Sequence, residues 1–341
     1  MIYTELVMIV LGISLVLYMI LGGADFGAGI IEIFTGSKGN STISKAIAPV
    51  WEANHMWLII AIVILFNGFP KAYVILSTNL HIPVLIFLLA IVLRGTAFTF
   101  RHYDAYHDES QVLYSYIFRY SSLIAVFFLG ITLSAFFGGT IPSSSSGSFT
   151  ELYIDPWFNL FSMSVGAFLV TLSAYIAAIF LLGEVTTKEG YALLSKFSKR
   201  LFFLSAISGI AIFISSYLND LVFHTVFIQH ELSIAAAVLV TLLVPLVFKL
   251  IKQNKTWHLR ILVGLQITLI MTGWFINQWP NLVVFSDGTN LSMYDAASPV
   301  ITMKILFIAL AVGVLFIFPG LYYLFSLFKS DDRSLKIENP N

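Results

Sequence analysis

Apolar residues run through this chain in long blocks, and polar residues fall mostly between them. A bilayer crossing needs roughly 20 mostly apolar residues. By that rule the sequence predicts nine helices, near 6–34, 50–69, 72–100, 116–137, 156–182, 201–223, 232–250, 259–279 and 299–328. Within such runs, periodicity does not separate a lipid-facing side from a buried one, since both are apolar. The segments 140–155, 219–231 and 280–298 read as outer loops, the first with a serine run at 143–146. No internal repeat and no long linker interrupt the pattern.

Composition strengthens this picture. Of 341 residues, 58% are hydrophobic and only 11% charged, against about 25% charged in a typical soluble domain. The expected class is an all-α polytopic membrane protein. Orientation follows from Lys and Arg, which gather on the cytoplasmic side. The loops after helices one, three, five and seven, with the tail, carry all but Lys71, Arg94 and Lys304 of the 18 basic residues. The N-terminus is therefore placed outside and the C-terminus in the cytoplasm. The formal net charge of zero gives no basic face for nucleic acid. The absence of cysteine removes disulfides, thiolate metal sites and thiol nucleophiles. No basic residue precedes the first apolar run, so that run does not read as a cleaved signal peptide.

Three polar exceptions inside the apolar runs draw the functional reading. An ionisable residue at membrane depth is costly and marks function by default. Asp25 stands near the end of the first run, Glu52 opens the second beside Asn54 and His55, and Arg94 lies near the end of the third. At 1.5 Å per residue, Asp25 is roughly 28 Å along from residue 6 and Arg94 roughly 33 Å along from residue 72. All three then sit at one depth on the cytoplasmic side. Gly23 and Gly27 form a small-xxx-small face that allows close helix approach. Two readings stand at this point. One is the mouth of a proton path made of Asp25, Glu52 and Arg94, with His55 and Asn54 as auxiliaries. The other is an ion pair that fixes helix packing.

Other chemistries find less support. Of seven histidines, only His55 and His81 fall inside predicted helices, and Pro83 would loosen the helix at His81. No spacing suggests a carboxylate-bridged metal site. His102, His107, Asp104, Asp108 and Glu109 read as a solvated loop. The tryptophans mostly suit interfacial anchoring. Asp295 or Ser298 is expected to cap the ninth helix, with Pro299 in its first turn, and Lys304 to pair with Asp295 or reach the surface.

Certain residues together resemble a known family. They are G-G-A-D-F-G-A-G-I at 22–30, I-A-P-V-W-E-A-N-H-M-W-L at 47–58, Arg94 followed by Phe98, and the segment 290–298. The sequence is similar to subunit II of cytochrome bd quinol oxidase. The resemblance implies a multi-pass protein of a prokaryotic cell membrane. It implies two four-helix bundles (1–138 and 156–279), an added ninth helix (299–328) and a cytoplasmic tail (329–341). It also implies a heterodimer with a subunit I that holds two b-type haems, one d-type haem and the quinol site, with no cofactor on this chain. That assembly oxidises quinol and reduces dioxygen to water, taking protons from the cytoplasm. The resemblance leaves room for a small single-helix third subunit and for a structural quinone or lipid. Family members often carry Asp where this chain has Glu52. The alternative from another class is a stand-alone proton-coupled secondary transporter using Asp25 and Glu52.

Overall fold

A computed structural model of the chain describes residues 1–36, 51–103, 110–144 and 146–338. The side chains of 51–53, 102, 103, 318, 321, 322 and 324–338 lie outside that description. The expected loop histidines and acids at 102–109 therefore fall outside it, as does the side chain of Glu52.

The first helix is longer than its apolar core. α1 (Ile2–Leu17) passes through a π turn at Tyr18–Gly22 into α2 (Gly23–Thr35), and Gly36 ends it with φ 60°. α3 (Trp51–Gly68) then stops short. Phe69 leaves the helical region and Pro70 opens α4 (Pro70–Asn79). A residue before proline avoids the α conformation, and proline at a first helical position costs nothing because its missing N–H has no partner there. The chain bends by 113° at this point.

The expected third helix, 72–100, is thus two helices. α4 breaks at Leu80, with φ −113° and ψ 19°, and α5 (His81–Tyr103) follows. His81 is exposed at its start, with Nδ1 2.7 Å from the Thr78 carbonyl oxygen. Pro83 falls in the first turn of α5, where it breaks no helical bond.

α6 (Ser110–Phe137) follows, then a short α7 (Phe149–Tyr153) within the expected 140–155 loop. α7 has a capping box: Ser148 Oγ accepts from the Glu151 N–H while the Glu151 carboxylate accepts from the Ser148 N–H. α8 (Leu160–Leu181) is capped by Asn159. α9 (Lys188–Leu218) starts well before the predicted residue 201. Lys188, Lys196, Lys199 and Arg200 ride on more than three helical turns that precede the apolar run, where a hydropathy reading places a loop. α10 (Val222–Gln229) is a separate short helix in the expected 219–231 loop. α11 (Glu231–Lys252) and α12 (Thr256–Gln278) follow.

The 280–298 segment is not plain loop either. β1 (Asn281–Val284) pairs antiparallel with β2 (Asn290–Ser292), and α13 (Met293–Ala296) follows. Ser292 caps α13 through the Asp295 N–H. Ser298 caps nothing: its Oγ donates to the Asn67 carbonyl and its N–H to that of Gly68. Asp295 and Ser298 are thus spent outside the last helix, contrary to expectation. Lys304 is exposed and makes no ion pair with Asp295 among the described residues. α14 (Val300–Glu338) is the last helix and runs past residue 328 into the expected tail.

Among the described residues, eight helices are long and apolar enough to cross a membrane, and nine spans result if the bent pair counts as one. α8 lies at the centre, packed against α2, α6, α9 and α12. Its contacts depend on missing side chains. A methyl on Gly27 of α2 would collide with the Ser173 carbonyl on α8 and come within 2.8 Å of Ala177 Cβ. A methyl on Gly130 of α6 would lie 2.8 Å from Gly166 Cα of α8. Backbones this close replace the hydrophobic drive that lipid cannot supply between helices. Gly23 differs from Gly27: an added methyl there meets only side-chain atoms at 3.4–3.5 Å. Trp57 and Trp157 are core residues at 4% and 8% exposure, so they are not interfacial anchors as the sequence suggested.

Candidate functional site

The π turn, α3, α5 and α6 surround a buried group of charges on α2. Asp25 is 3% exposed and Arg94 1%. Arg94 Nη2 lies 2.6 Å from Asp25 Oδ1 and also donates to the Asp25 carbonyl oxygen at 3.1 Å. Arg94 Nε donates to Ser122 Oγ on α6 at 3.0 Å. The guanidinium sits 4.9 Å from the ring centres of both Phe26 and Phe118. A buried arginine needs its donors filled and its plane covered, and this one has a carboxylate, a carbonyl, a hydroxyl and two rings.

The other carboxylate oxygen is left open. Among the described residues, Asp25 Oδ2 is buried with no hydrogen-bond partner, and so are Tyr18 Oη and His55 Nδ1 nearby. The His55 ring lies 5.6 Å from Phe26 and 6.1 Å from Tyr18. Asn54 is buried at 4%. Glu52 belongs to α3, two and three residues before Asn54 and His55, with its side chain outside the described residues.

A second ion cluster lies deeper along the same helix, and the sequence reading passed over it. Glu32 is fully buried. Arg101 Nη1 binds both of its carboxylate oxygens at 2.8 and 2.9 Å, and Arg119 Nε binds Oε1 at 2.9 Å. Arg101 also stacks on Phe118, 4.3 Å from the ring centre, so one phenyl ring covers two guanidiniums. Arg101 lies on a helix just past the expected end at 100, and Arg119 falls within the expected fourth helix. A signal was present. Asp25 and Glu32 are seven apart on one helix, and Arg94 and Arg101 are seven apart on another. Seven residues are about two turns, or about 10.5 Å of rise, so acids and arginines match rung for rung if α2 and α5 run the same way.

Among the described residues no three His, Asp or Glu side chains come together to hold a metal ion. His55 packs edge to face on Phe26 and tilted against Tyr18.

The charge ladder on helices one and three can be compared with known proteins. The model of one family, cytochrome bd terminal oxidase subunit II, matches residues 3–328. The chain belongs to that family. It is a multi-pass protein of the bacterial cell membrane. The cytochrome bd ubiquinol oxidase subunit 2 of Bacillus subtilis is 25% identical over 310 residues, 89% of each chain. A putative cytochrome bd menaquinol oxidase subunit II of the same organism is 22% identical over 340 residues, 94% of each. The Escherichia coli (strain K12) cytochrome bd-I ubiquinol oxidase subunit 2 is 26% identical over 95 residues, 27% of this chain and 25% of that one. A chain in the structure of bd oxidase from Geobacillus thermodenitrificans superposes with a TM-score of 0.77 at 22% identity, covering 96% of this chain and 99% of that one. This last likeness supports the fold: long helices, all-α, many times through the bilayer.

Proposed function

We propose that this chain is the non-haem subunit of a bd-type quinol:dioxygen oxidoreductase. It packs beside a haem-bearing subunit I and supplies a cytoplasmic proton-uptake path for reduction of dioxygen to water. Membership of the subunit II family supports the assembly and the reaction class. The subunit I haems, two b-type and one d-type, would carry the electron chemistry. The relatives are named for both ubiquinol and menaquinol, so quinol is the substrate class. Two four-helix bundles, with a ninth helix added, fit α8 as the central joining helix. A stand-alone transporter draws no support from the relatives.

One observation carries the proton reading: Asp25 is held by Arg94 through Oδ1 while Oδ2 has no protein partner. Arg94 fixes the carboxylate in place, and Oδ2 keeps its lone pairs for a proton or a water. Glu52, one residue into α3, would receive protons from the cytoplasm. His55 and Asn54 line the same corner and would hold the water between them.

The test uses the complex purified with its haem-bearing partner and sealed into vesicles. Asp25→Asn and Glu52→Gln are expected to slow proton uptake coupled to oxygen consumption, while the haem spectrum stays unchanged. Unchanged uptake across pH in both variants sinks the reading. A double variant, Asp25→Asn with Arg94→Gln, separates path from packing. Removing both charges relieves a buried unpaired ion, so assembly recovers. Uptake recovers too only if the pair is structural.

A further inference from the structure

The π turn puts a third group beside Asp25. Residues four apart share a helical face, and the Tyr18 ring lies against Gly22, where an added methyl would sit 2.9 Å from the ring edge. The ring meets Phe26 edge to face at 6.3 Å and His55 at 6.1 Å. π turns occur often at functional sites, and here the bare Gly22 leaves room for the ring beside the residue that follows Asp25.

The phenol is 3% exposed and its Oη has no protein partner, like Asp25 Oδ2 and His55 Nδ1. Three buried polar atoms without partners around one turn break the rule that such groups are bonded. A buried water typically serves two to four polar groups, and three such atoms call for one. A narrow cavity adjoins the turn, lined mostly by apolar side chains together with Tyr18 and Ser173 and not by Asp25 or His55. Ser173 Oγ there also lacks a partner.

Resting on the proton reading above, we propose that Tyr18 Oη, Asp25 Oδ2 and His55 Nδ1 line one hydrated niche in which Tyr18 is a proton relay. α1 runs inward into α2, so Tyr18 is the next step from Asp25 toward the membrane centre. A protonated Asp25 gives its proton to the water beside it, that water gives one to Oη, and the Tyr18 O–H proton passes to a water on the cavity side. Three O–H bonds break and three form, Asp25 is left as the carboxylate, the far water carries the proton, and the phenol ends as it began. No oxidant or reductant takes part.

The experiment compares Tyr18→Phe, Gly22→Ala and Asp25→Asn in the full complex. It reads proton uptake, its slowing in heavy water, and X-ray radiolytic labelling, which marks buried side chains that touch ordered water. Tyr18→Phe removes one oxygen and keeps the ring. It is expected to slow uptake by at least about tenfold while haem content holds. Gly22→Ala pushes the ring from its seat and is expected to slow uptake in the same direction. Tyr18 in the unaltered complex should be labelled despite its burial. If Asp25→Asn slows uptake and Tyr18→Phe does not, the relay is wrong and the wider path stands. If Asp25→Asn has no effect, the wider path is wrong and the relay falls with it. A Tyr18 that resists labelling overturns the hydrated niche in either case.

Discussion

Glu32 carries more electrostatic weight than any other single side chain described. It is wholly buried and bound by two arginines. Making it neutral takes one buried carboxylate from two guanidiniums, and breaking a buried pair costs about 3–5 kcal/mol. Glu32→Gln is expected to destabilise the chain by that order, read by chemical unfolding in detergent. A change below about 1 kcal/mol, the scale of exposed pairs, means the cluster is hydrated and unimportant. Asp25 differs because half of its carboxylate is unclaimed. Sequence alone exposed Asp25 and Arg94 because each interrupts an apolar run. Glu32, Arg101 and Arg119 escaped because each sits where a run fades, and there a charge looks like ordinary loop. The matched spacing of seven would have revealed the first two. Tyr18 could not be singled out at all, since a tyrosine in an apolar run is unremarkable until the backbone turns it toward an acid.

The spans were readable as elements because burial in lipid needs length and apolarity, and both can be counted. Their breaks are harder to read, because hydropathy says nothing about backbone angles. The expected second helix ends at 69 and the third opens at 72, so the break that Pro70 marks is among the expectations. The third runs straight through Leu80, a fully buried apolar residue, although Pro83 is a cue that the helix loosens there. α9 was cut short for the opposite reason: a helix continues past the bilayer as long as its residues permit, and lysines permit it. Close packing of α2 on α8 has its own test. Gly27→Val forces two branched carbons into the Ser173 backbone of α8. Overpacking of this kind costs typically about 1–3 kcal/mol. A lower melting temperature of the purified complex is expected, with Gly23→Ala nearly harmless beside it. Equal effects at the two glycines would refute the packing account.

At the scale of the whole molecule, the outer face is tied shut by polar contacts between distant segments. Ser143 Oγ donates to Asp287 Oδ2, and Asp287 Oδ1 accepts from Thr289. These hydrogen bonds, Ser143 first, pull the Asp287 carboxyl down to about 2 from its usual 3.8. A depressed folded value means the clasp helps stability above pH 3.8 and is lost as pH falls through about 2. Pepsin, active across that window, should spare the β1–β2 hairpin at pH 4 and cut it near pH 2. Asp287→Asn should be cut alike at both, and identical behaviour of the two proteins would disprove the clasp.

A longer tie spans nearly the full chain. The Tyr294 hydroxyl donates to Glu5 at 2.8 Å, and Ser298 fastens to the end of α3. The first segment to leave the ribosome thus lacks its outer fastening until the last has been made. A chain interrupted before residue 294 would reach the membrane with that seam open, a recognisable defect for the proteases that clear unfinished subunits.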